Sequence, residues 1–345
     1  MSYSIRHISG IVDGEFLRFR GDDPIEHLLL DSRRLIFPAT SLFFALRGPR
    51  RDGMSYLEEL YRRGVRNFIV SGTPNLIDIP EANVIIVTDT LAALQRLAAF
   101  HRAQFSIPVV AITGSNGKTI VKEWLNELLE ADYSIVRSPK SYNSQLGVPL
   151  SVWQLQPVHT LAIFEAGISR RQEMERLEAI LKPTIGIFTN IGEAHNEGFS
   201  SLAEKVAEKL KLFDGSKALI SCGDQRETSA AIWKWKGERA DASLDTPDIV
   251  SWGREYGNDI WLQTFEDLGN ATRVGITFGG ISGEIIFPFT EHASVENAMH
   301  CVAACLWLKL PIEKIAARVG QHHDRARGKA ARRRRIAGDR QRVST

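Results

Sequence analysis

Six consecutive residues, Gly114-Ser115-Asn116-Gly117-Lys118-Thr119, hold the most suggestive chemistry of this chain. They follow an apolar run, PVVAIT (108–113), and precede IVKEWLNELLE (120–130), which has helical spacing. Two glycines let the backbone turn so that successive N–H groups face one anion, and the helix that follows adds the positive end of its dipole. Lys118 would lie against the outer phosphates of a nucleoside triphosphate, and the Thr119 hydroxyl would ligate Mg2+. The loop is shorter than the general G-x-x-x-x-G-K-[ST] form, because Ile112 stands at the first glycine position. No Asn-Lys-x-Asp segment of the kind that reads guanine is present, whereas a simple kinase stays open from this loop alone.

Ligands of open parallel sheets gather beyond the carboxyl ends of the strands. The apolar run HTLAIFEAG (159–167) ends in Glu165, and TIGIFTNIG (184–192) runs on into Glu193-Ala194-His195. Glu165 is a hard oxygen ligand suited to Mg2+, and His195 could ligate a second cation or orient a phosphate. Taken singly, Glu165 reads equally well as a polar cap and His195 better as a structural histidine. Their placement beside the glycine loop shifts both toward ligand roles. Downstream, SSLAEKVAEKLKLF (200–213) offers Lys205, Lys209 and Lys211 on one helix, and composition does not choose among them.

These side chains need a scaffold, and the pattern predicts an α/β fold. Residues 1–105 read as a small α/β unit, with strands LFFALRG (42–48), NFIVSG (67–72) and NVIIVTD (83–89). Helices are expected over 55–64 and 90–105, the second with Thr90 as N-cap, and Ser106–Pro108 makes a joint. From 106 to 321 continuously apolar strands (108–113, 159–167, 184–192, 217–223) alternate with helices (117–131, 171–181, 200–213). That alternation predicts a P-loop-type domain with a mainly parallel sheet covered on both faces. Strands near 248–252, 260–264, 273–279 and 283–289 are expected as an antiparallel edge, followed by a helix over 295–308.

Together these stretches resemble the Mur ligase family, the ATP-dependent amide-forming enzymes of peptidoglycan assembly. Within it they look most like the branch that adds D-alanyl-D-alanine to UDP-N-acetylmuramoyl-tripeptide. The resemblance rests on LDSRRLIFPATSLFFALRGPRRDGMSYLEELYRRG, AITGSNGKT, YNSQLGVPLSVW, the segment FEAGISRRQEMERLEAILKPTIGIFTNIGEAHNEGFSSLAEKVAEKLKLF, and VENAMHCVAA. AITGSNGKT is also similar to folylpolyglutamate synthases. The resemblance implies that Asp31, Ser32 and Arg33 lie near the UDP-sugar, and that Asn143 and Ser144 lie between nucleotide and acceptor. It implies that Lys118 and the rest of the 114–119 loop bind ATP, and that Thr119, Glu165, His195 and Lys209 serve the magnesium site. It further implies that Lys209 is carried as a carbamate and that Asn297 contacts adenine.

Departures from the family pattern are Ile120, Gln172 and Ala293, at positions where relatives have threonine, glycine and histidine. Family members continue into a third, Rossmann-like domain, whereas residues 322–345 here turn arginine-rich. The expectation is therefore a chain truncated before that domain and impaired in ligation. The alternatives are another ligase of the superfamily, or a non-catalytic nucleotide-binding module whose tail docks on nucleic acid.

The bulk numbers agree with a globular chain. Of 345 residues 43% are apolar and 24% charged. Residues 322–345 hold eight Arg and one Lys against two Asp, so the other 321 residues, with 34 basic and 39 acidic side chains, are mildly acidic. Three cysteines are too few for a disulfide framework. With no secretory signal and no membrane-length apolar run, a cytoplasmic monomer without membrane or nucleic-acid partners is expected.

Overall fold

The computed structural model describes residues 1–48, 52–192, 199 and 201–320; His195 and the basic tail 322–345 lie outside them. The chain divides into two compact units. One comprises Met1–Ile107, Ser138–His159 and Ala179–Leu181, and the other Pro108–Arg137, Thr160–Glu178 and Lys182 onward.

The first unit carries strands β1 (Tyr3–Ser4), β2 (Glu15–Arg18), β3 (Pro24–Ile25), β4 (His27–Leu29), β5 (Ser41–Phe44), β6 (Asn67–Val70) and β7 (Asn83–Ile86). Its helices are α1 (Ile5–Ile11), α2 (Leu57–Arg62) and α3 (Thr90–Ala103). A five-stranded sheet runs β2-β7-β6-β5-β4, parallel except for β2 at its edge, and β1 pairs with β3 apart from it. Every residue of β5 and β6 is buried, which is why these strands read as unbroken apolar runs. Helix α3 starts one residue away from the expected cap. Asp89, extended at φ −143°, accepts from the Leu91 and Ala92 amides, while Thr90 is already helical and turns its hydroxyl to the Ala45 carbonyl. A carboxylate one residue earlier outcompetes the threonine for the same amides.

The second unit begins with β8 (Val109–Thr113), α4 (Lys118–Leu129) and β9 (Ile135–Arg137). The chain then returns to the first unit for residues 138–159, which include α5 (Gly147–Val152). The expected division at 105/106 does not describe this insertion. Trp153 explains where it belongs, because its indole donates to the Glu26 carbonyl at 2.8 Å and joins the core around Ile5, Leu42 and Leu94. The second unit resumes with β10 (Leu161–Glu165), most of α6 (Glu173–Leu181, of which Ala179–Leu181 count with the first unit), β11 (Ile185–Phe188), α7 (Leu202–Leu210), β12 (Ala218–Cys222) and α8 (Arg226–Asp241). It ends with β13 (Asp248–Gly253), β14 (Ile260–Asp267), β15 (Thr272–Phe278), β16 (Ile281–Phe287), α9 (His292–Trp307) and a helical run over 312–320.

Among the described residues its nine strands are ordered β16-β15-β14-β13-β12-β11-β8-β10-β9. Strands β9 to β14 are parallel, and β14, β15 and β16 pair antiparallel. The antiparallel edge is thus narrower than expected, since β13 extends the parallel sheet. Strand β8 lies between β10 and β11, so strand order reverses there and a crevice opens beyond its carboxyl end. A core runs through the unit from Ile112 and Ile187 under α4 to the apolar face of α9. A fully buried aromatic such as Phe164 or Phe188 contributes about 2–3 kcal/mol by removal of its surface from water. All three cysteines are free and buried. Among the described residues no helix is long and apolar enough to cross a membrane.

Candidate active site

At the carboxyl end of β8 the chain turns through Gly114 at φ 141° and Gly117 at φ 81°, both in the region that side chains avoid. A Cβ on Gly114 would meet Thr189 Oγ1 at 2.0 Å, and one on Gly117 would meet Asn297 Oδ1 at 2.1 Å. Neighbouring elements therefore close on the loop from two sides. Gly117 is the N-cap of α4 and no side chain caps that helix, so its first amides and its dipole face the loop.

The segment after β11 braces the loop backbone. The Ser115 amide donates to the Asn190 carbonyl at 2.8 Å and the Asn116 amide to Asn190 Oδ1 at 3.0 Å. The Gly192 amide donates to Ser115 Oγ at 3.0 Å, and Thr189 Oγ1 to the Asn116 carbonyl at 2.6 Å.

Three lysines converge on this frame. Lys118 folds back so that Nζ donates to the Gly114 carbonyl at 2.8 Å and to that of Ser115 at 3.2 Å. Lys209, near the end of α7 and 4% exposed, donates to the same Gly114 carbonyl at 3.0 Å. Lys205, one turn earlier, donates to the Gly192 carbonyl at 2.8 Å. Burial, and then the ammonium groups of Lys118 and Lys205, push Lys209 down to about 7. Burial likewise lowers Lys118, opposed by Glu165 and assisted by Lys205. A carbamate or phosphate oxygen placed among these cations would be strongly favoured, and Lys209 is in part an unprotonated amine at neutral pH.

Beneath the loop, Glu165 ends β10 with no exposed surface. Its Oε2 accepts from Thr119 Oγ1 at 3.0 Å, and Lys122 Nζ lies 2.9 Å from Oε1. Thr119 and Glu165 thus set a hydroxyl and a carboxylate side by side, hard oxygen donors that fit Mg2+ next to bound phosphates. Among the described residues no group of three His, Cys, Asp or Glu side chains forms a preassembled metal site. At the same end of the sheet, a cavity of about 320 Å³ lies between β12, β13 and the start of α9, lined in part by Asp224, Trp252, Arg254 and Glu296.

The remaining candidates lie in the first unit. Asp31 is extended and caps a short 3-10 turn, Ser32–Arg34, while taking both Arg33 Nε at 2.9 Å and Nη2 at 2.7 Å. Those hydrogen bonds hold the Asp31 carboxyl down to about 2. Ser32 is buried, its carbonyl accepting from Arg63 at 2.8 Å. Arg34 hydrogen-bonds the Tyr142 hydroxyl, which brings this turn beside the 138–159 segment. Asn143 follows Tyr142, and Ser144 Oγ accepts from the Gly147 amide at 3.2 Å. The structure therefore groups Asp31, Ser32, Arg33, Asn143 and Ser144 in one unit. It groups the 114–119 loop, Glu165, Lys209 and Asn297 in the other.

Sequence reading missed Lys122, Thr189, Asn190 and His300. Lys122 had a signal, because it lies four residues after Lys118 on the apolar stripe of Val121, Leu125 and Leu129, where a charge needs a partner. His300 likewise interrupts the apolar run of α9. Thr189 and Asn190 act through their backbone carbonyls as much as their side chains, which leaves no trace in residue type.

Residues 112–305 match the model of the Mur ligase middle domain. The chain belongs to the Mur ligase family. A Mur ligase of Bacillus subtilis, the UDP-N-acetylmuramoyl-tripeptide–D-alanyl-D-alanine ligase, is 30% identical over 321 residues, which are 91% of this chain and 65% of that protein. Its Escherichia coli counterpart is 32% identical, with 92% and 67% covered. This chain thus spans about two thirds of the length of these Mur ligases. Its fold also matches an Acinetobacter baumannii structure, a UDP-N-acetylmuramoylalanyl-D-glutamyl-2,6-diaminopimelate–D-alanyl-D-alanyl ligase. The TM-score is 0.80 at 25% identity, over 93% of this chain and 69% of the other. The MurF ligase of Thermotoga maritima, solved with ADP, shares the fold at TM-score 0.71 and 22% identity, over 84% and 65%.

Proposed function

We propose that this chain carries the acceptor-binding and ATP-handling parts of an ATP-dependent ligase that joins D-alanyl-D-alanine to UDP-N-acetylmuramoyl-tripeptide. The observation that carries the reading is the meeting of Lys118 and Lys209 on one carbonyl, that of Gly114, above the 3.0 Å pair of Thr119 and Glu165. The loop amides other than those of Ser115 and Asn116, which Asn190 takes, bind the phosphate oxygens together with the first amides of α4, and Lys118 swings from its own loop onto the outer phosphates. The acceptor's terminal carboxylate attacks the γ-phosphorus and ADP leaves, giving an acyl phosphate. The amine of D-alanyl-D-alanine then displaces phosphate and loses a proton, forming the amide. Lys118 and the loop amides neutralise the charge gathering on the transferred group. Thr119 and Glu165 would hold Mg2+, with the His195 side chain as a further candidate ligand, and the metal would supply further charge neutralisation on the phosphates.

Lys209 fits the part of a carbamate. An uncharged amine adds to CO2, forming an N–C bond and releasing one proton to solvent, and a cation becomes an anionic oxygen donor. The neighbouring Lys118 and Lys205 favour both the neutral amine and the resulting anion. Asp31, Ser32, Arg33, Asn143 and Ser144 bind the acceptor in this reading, and Asn297, against Gly117, contacts the adenine.

Ligand-induced stabilisation tests the assignment, because a ligand that binds only the folded chain raises its melting temperature. UDP-N-acetylmuramoyl-tripeptide and MgATP should each raise it, and tetrahydrofolate should not. Stabilisation by tetrahydrofolate alone would overturn the reading in favour of a folylpolyglutamate-type ligase.

A further inference from the structure

His300 lies on α9, one turn beyond Asn297, and is 1% exposed. Both ring nitrogens are engaged. Trp252 Nε1, which can only donate, lies 3.1 Å from Nδ1, so Nδ1 accepts and the ring proton is on Nε2. Nε2 then donates to the Thr189 carbonyl at 2.9 Å. Thr189 passes the connection on, its hydroxyl donating to the Asn116 carbonyl at 2.6 Å inside the phosphate loop. Asn190, the next residue, takes the Ser115 and Asn116 amides. A continuous hydrogen-bonded chain therefore runs from the indole of β13 through α9 to the backbone that would grip a phosphate. Burial keeps the ring neutral by pushing its pKa down to about 4. Burying an imidazole among the apolar side chains of α9 costs desolvation that a hydrocarbon of the same size would avoid, so its two directed hydrogen bonds are what the position gains.

We propose that His300 is a positioning residue for the phosphate loop, with Trp252 selecting the tautomer that lets it hold Thr189 against Asn116. The consequence for nucleotide affinity rests on the ATP reading above; the consequence for loop order does not.

Three variants of the full chain separate this role from plain packing. His300→Gln can set an amide N–H where Nε2 lies, His300→Asn cannot reach, and Trp252→Phe removes the donor that fixes the tautomer. Amide hydrogen exchange at Ser115 and Asn116 reads loop order without any ligand, and titration with ATP and with adenosine reads the effect on phosphate binding. His300→Asn should speed exchange at both amides and weaken ATP by about tenfold, the worth of one hydrogen bond, while adenosine binding stays unchanged. His300→Gln should restore both readouts to within about threefold, and Trp252→Phe should fall between, with its imidazole nitrogen spectrum showing a second tautomer. Equal exchange in the Gln and Asn variants, or equal weakening of ATP and adenosine, would overturn the proposal. Failure of the unsubstituted chain to bind ATP would sink the nucleotide reading instead, and the exchange comparison would still decide the part played by His300.

Discussion

Gly117 shows how much of this site is decided by a single hydrogen atom in place of a side chain. Its φ of 81° costs an alanine about 1–2 kcal/mol, and the added methyl would meet Asn297 Oδ1 at 2.1 Å. Gly117→Ala is expected to lose MgATP binding, and pairing it with Asn297→Gly should recover stability to urea only in part, because the backbone strain stays. Full recovery would mean the contact and not the conformation sets the requirement. Lys209 makes a second claim at this scale. With its amine near pKa 7, raising pH from 6 to 8 at fixed dissolved CO2 should increase carbamate, because the neutral amine that attacks CO2 increases over that interval. Carbon-13 labelled CO2 should give one carbamate carbonyl resonance in the wild type and none in Lys209→Arg. A signal that persists in the arginine variant would place the carbamate elsewhere.

Elements make their own demands. The helical run 312–320 is tied to the turn after α4 through Asp132, which pairs with Lys314 at 2.5 Å and Arg318 at 2.6 Å. These are partly exposed ion pairs, so Asp132→Asn should cost only about 1 kcal/mol, with faster amide exchange confined to that run. Acid should act through two buried histidines, His101 in α3 and His300 in α9, each held neutral with a pKa near 4 by burial. Unfolded histidines titrate near 6.5, so between those values only the unfolded chain takes up protons. Stability should therefore fall as pH drops from about 6.5 toward 4, and the urea midpoint should fall less steeply in His300→Gln. The parallel strands were legible because burial on both faces writes them as unbroken apolar runs, as in VVAIT and LAIFE. The direction of β13 was not, since parallel and antiparallel pairing place the same residues in the same core. The insertion 138–159 was hidden too, because Trp153 reaches Glu26 across more than a hundred residues and no local pattern records that.

The candidate residues fall in two compact units, Asp31, Ser32, Arg33, Asn143 and Ser144 in one and the 114–119 loop with Glu165 and Lys209 in the other. Family membership was legible from short stretches in fixed order, each tied to backbone geometry or a side-chain role that few residues can fill. The bracing of the loop by Thr189, Asn190 and His300 was not legible, since it runs through carbonyls and a tautomer. The proposed function requires one magnesium–nucleotide site built from the 114–119 loop, Glu165 and Lys209. Titration of the full chain with ATP, with and without Mg2+, tests it most directly. Lys118→Ala should weaken ATP under both conditions by about 100-fold, whereas Glu165→Gln should weaken only MgATP, by about tenfold, and leave metal-free ATP untouched. ATP binding unchanged by Lys118→Ala, or Glu165→Gln acting equally without the metal, would contradict the account.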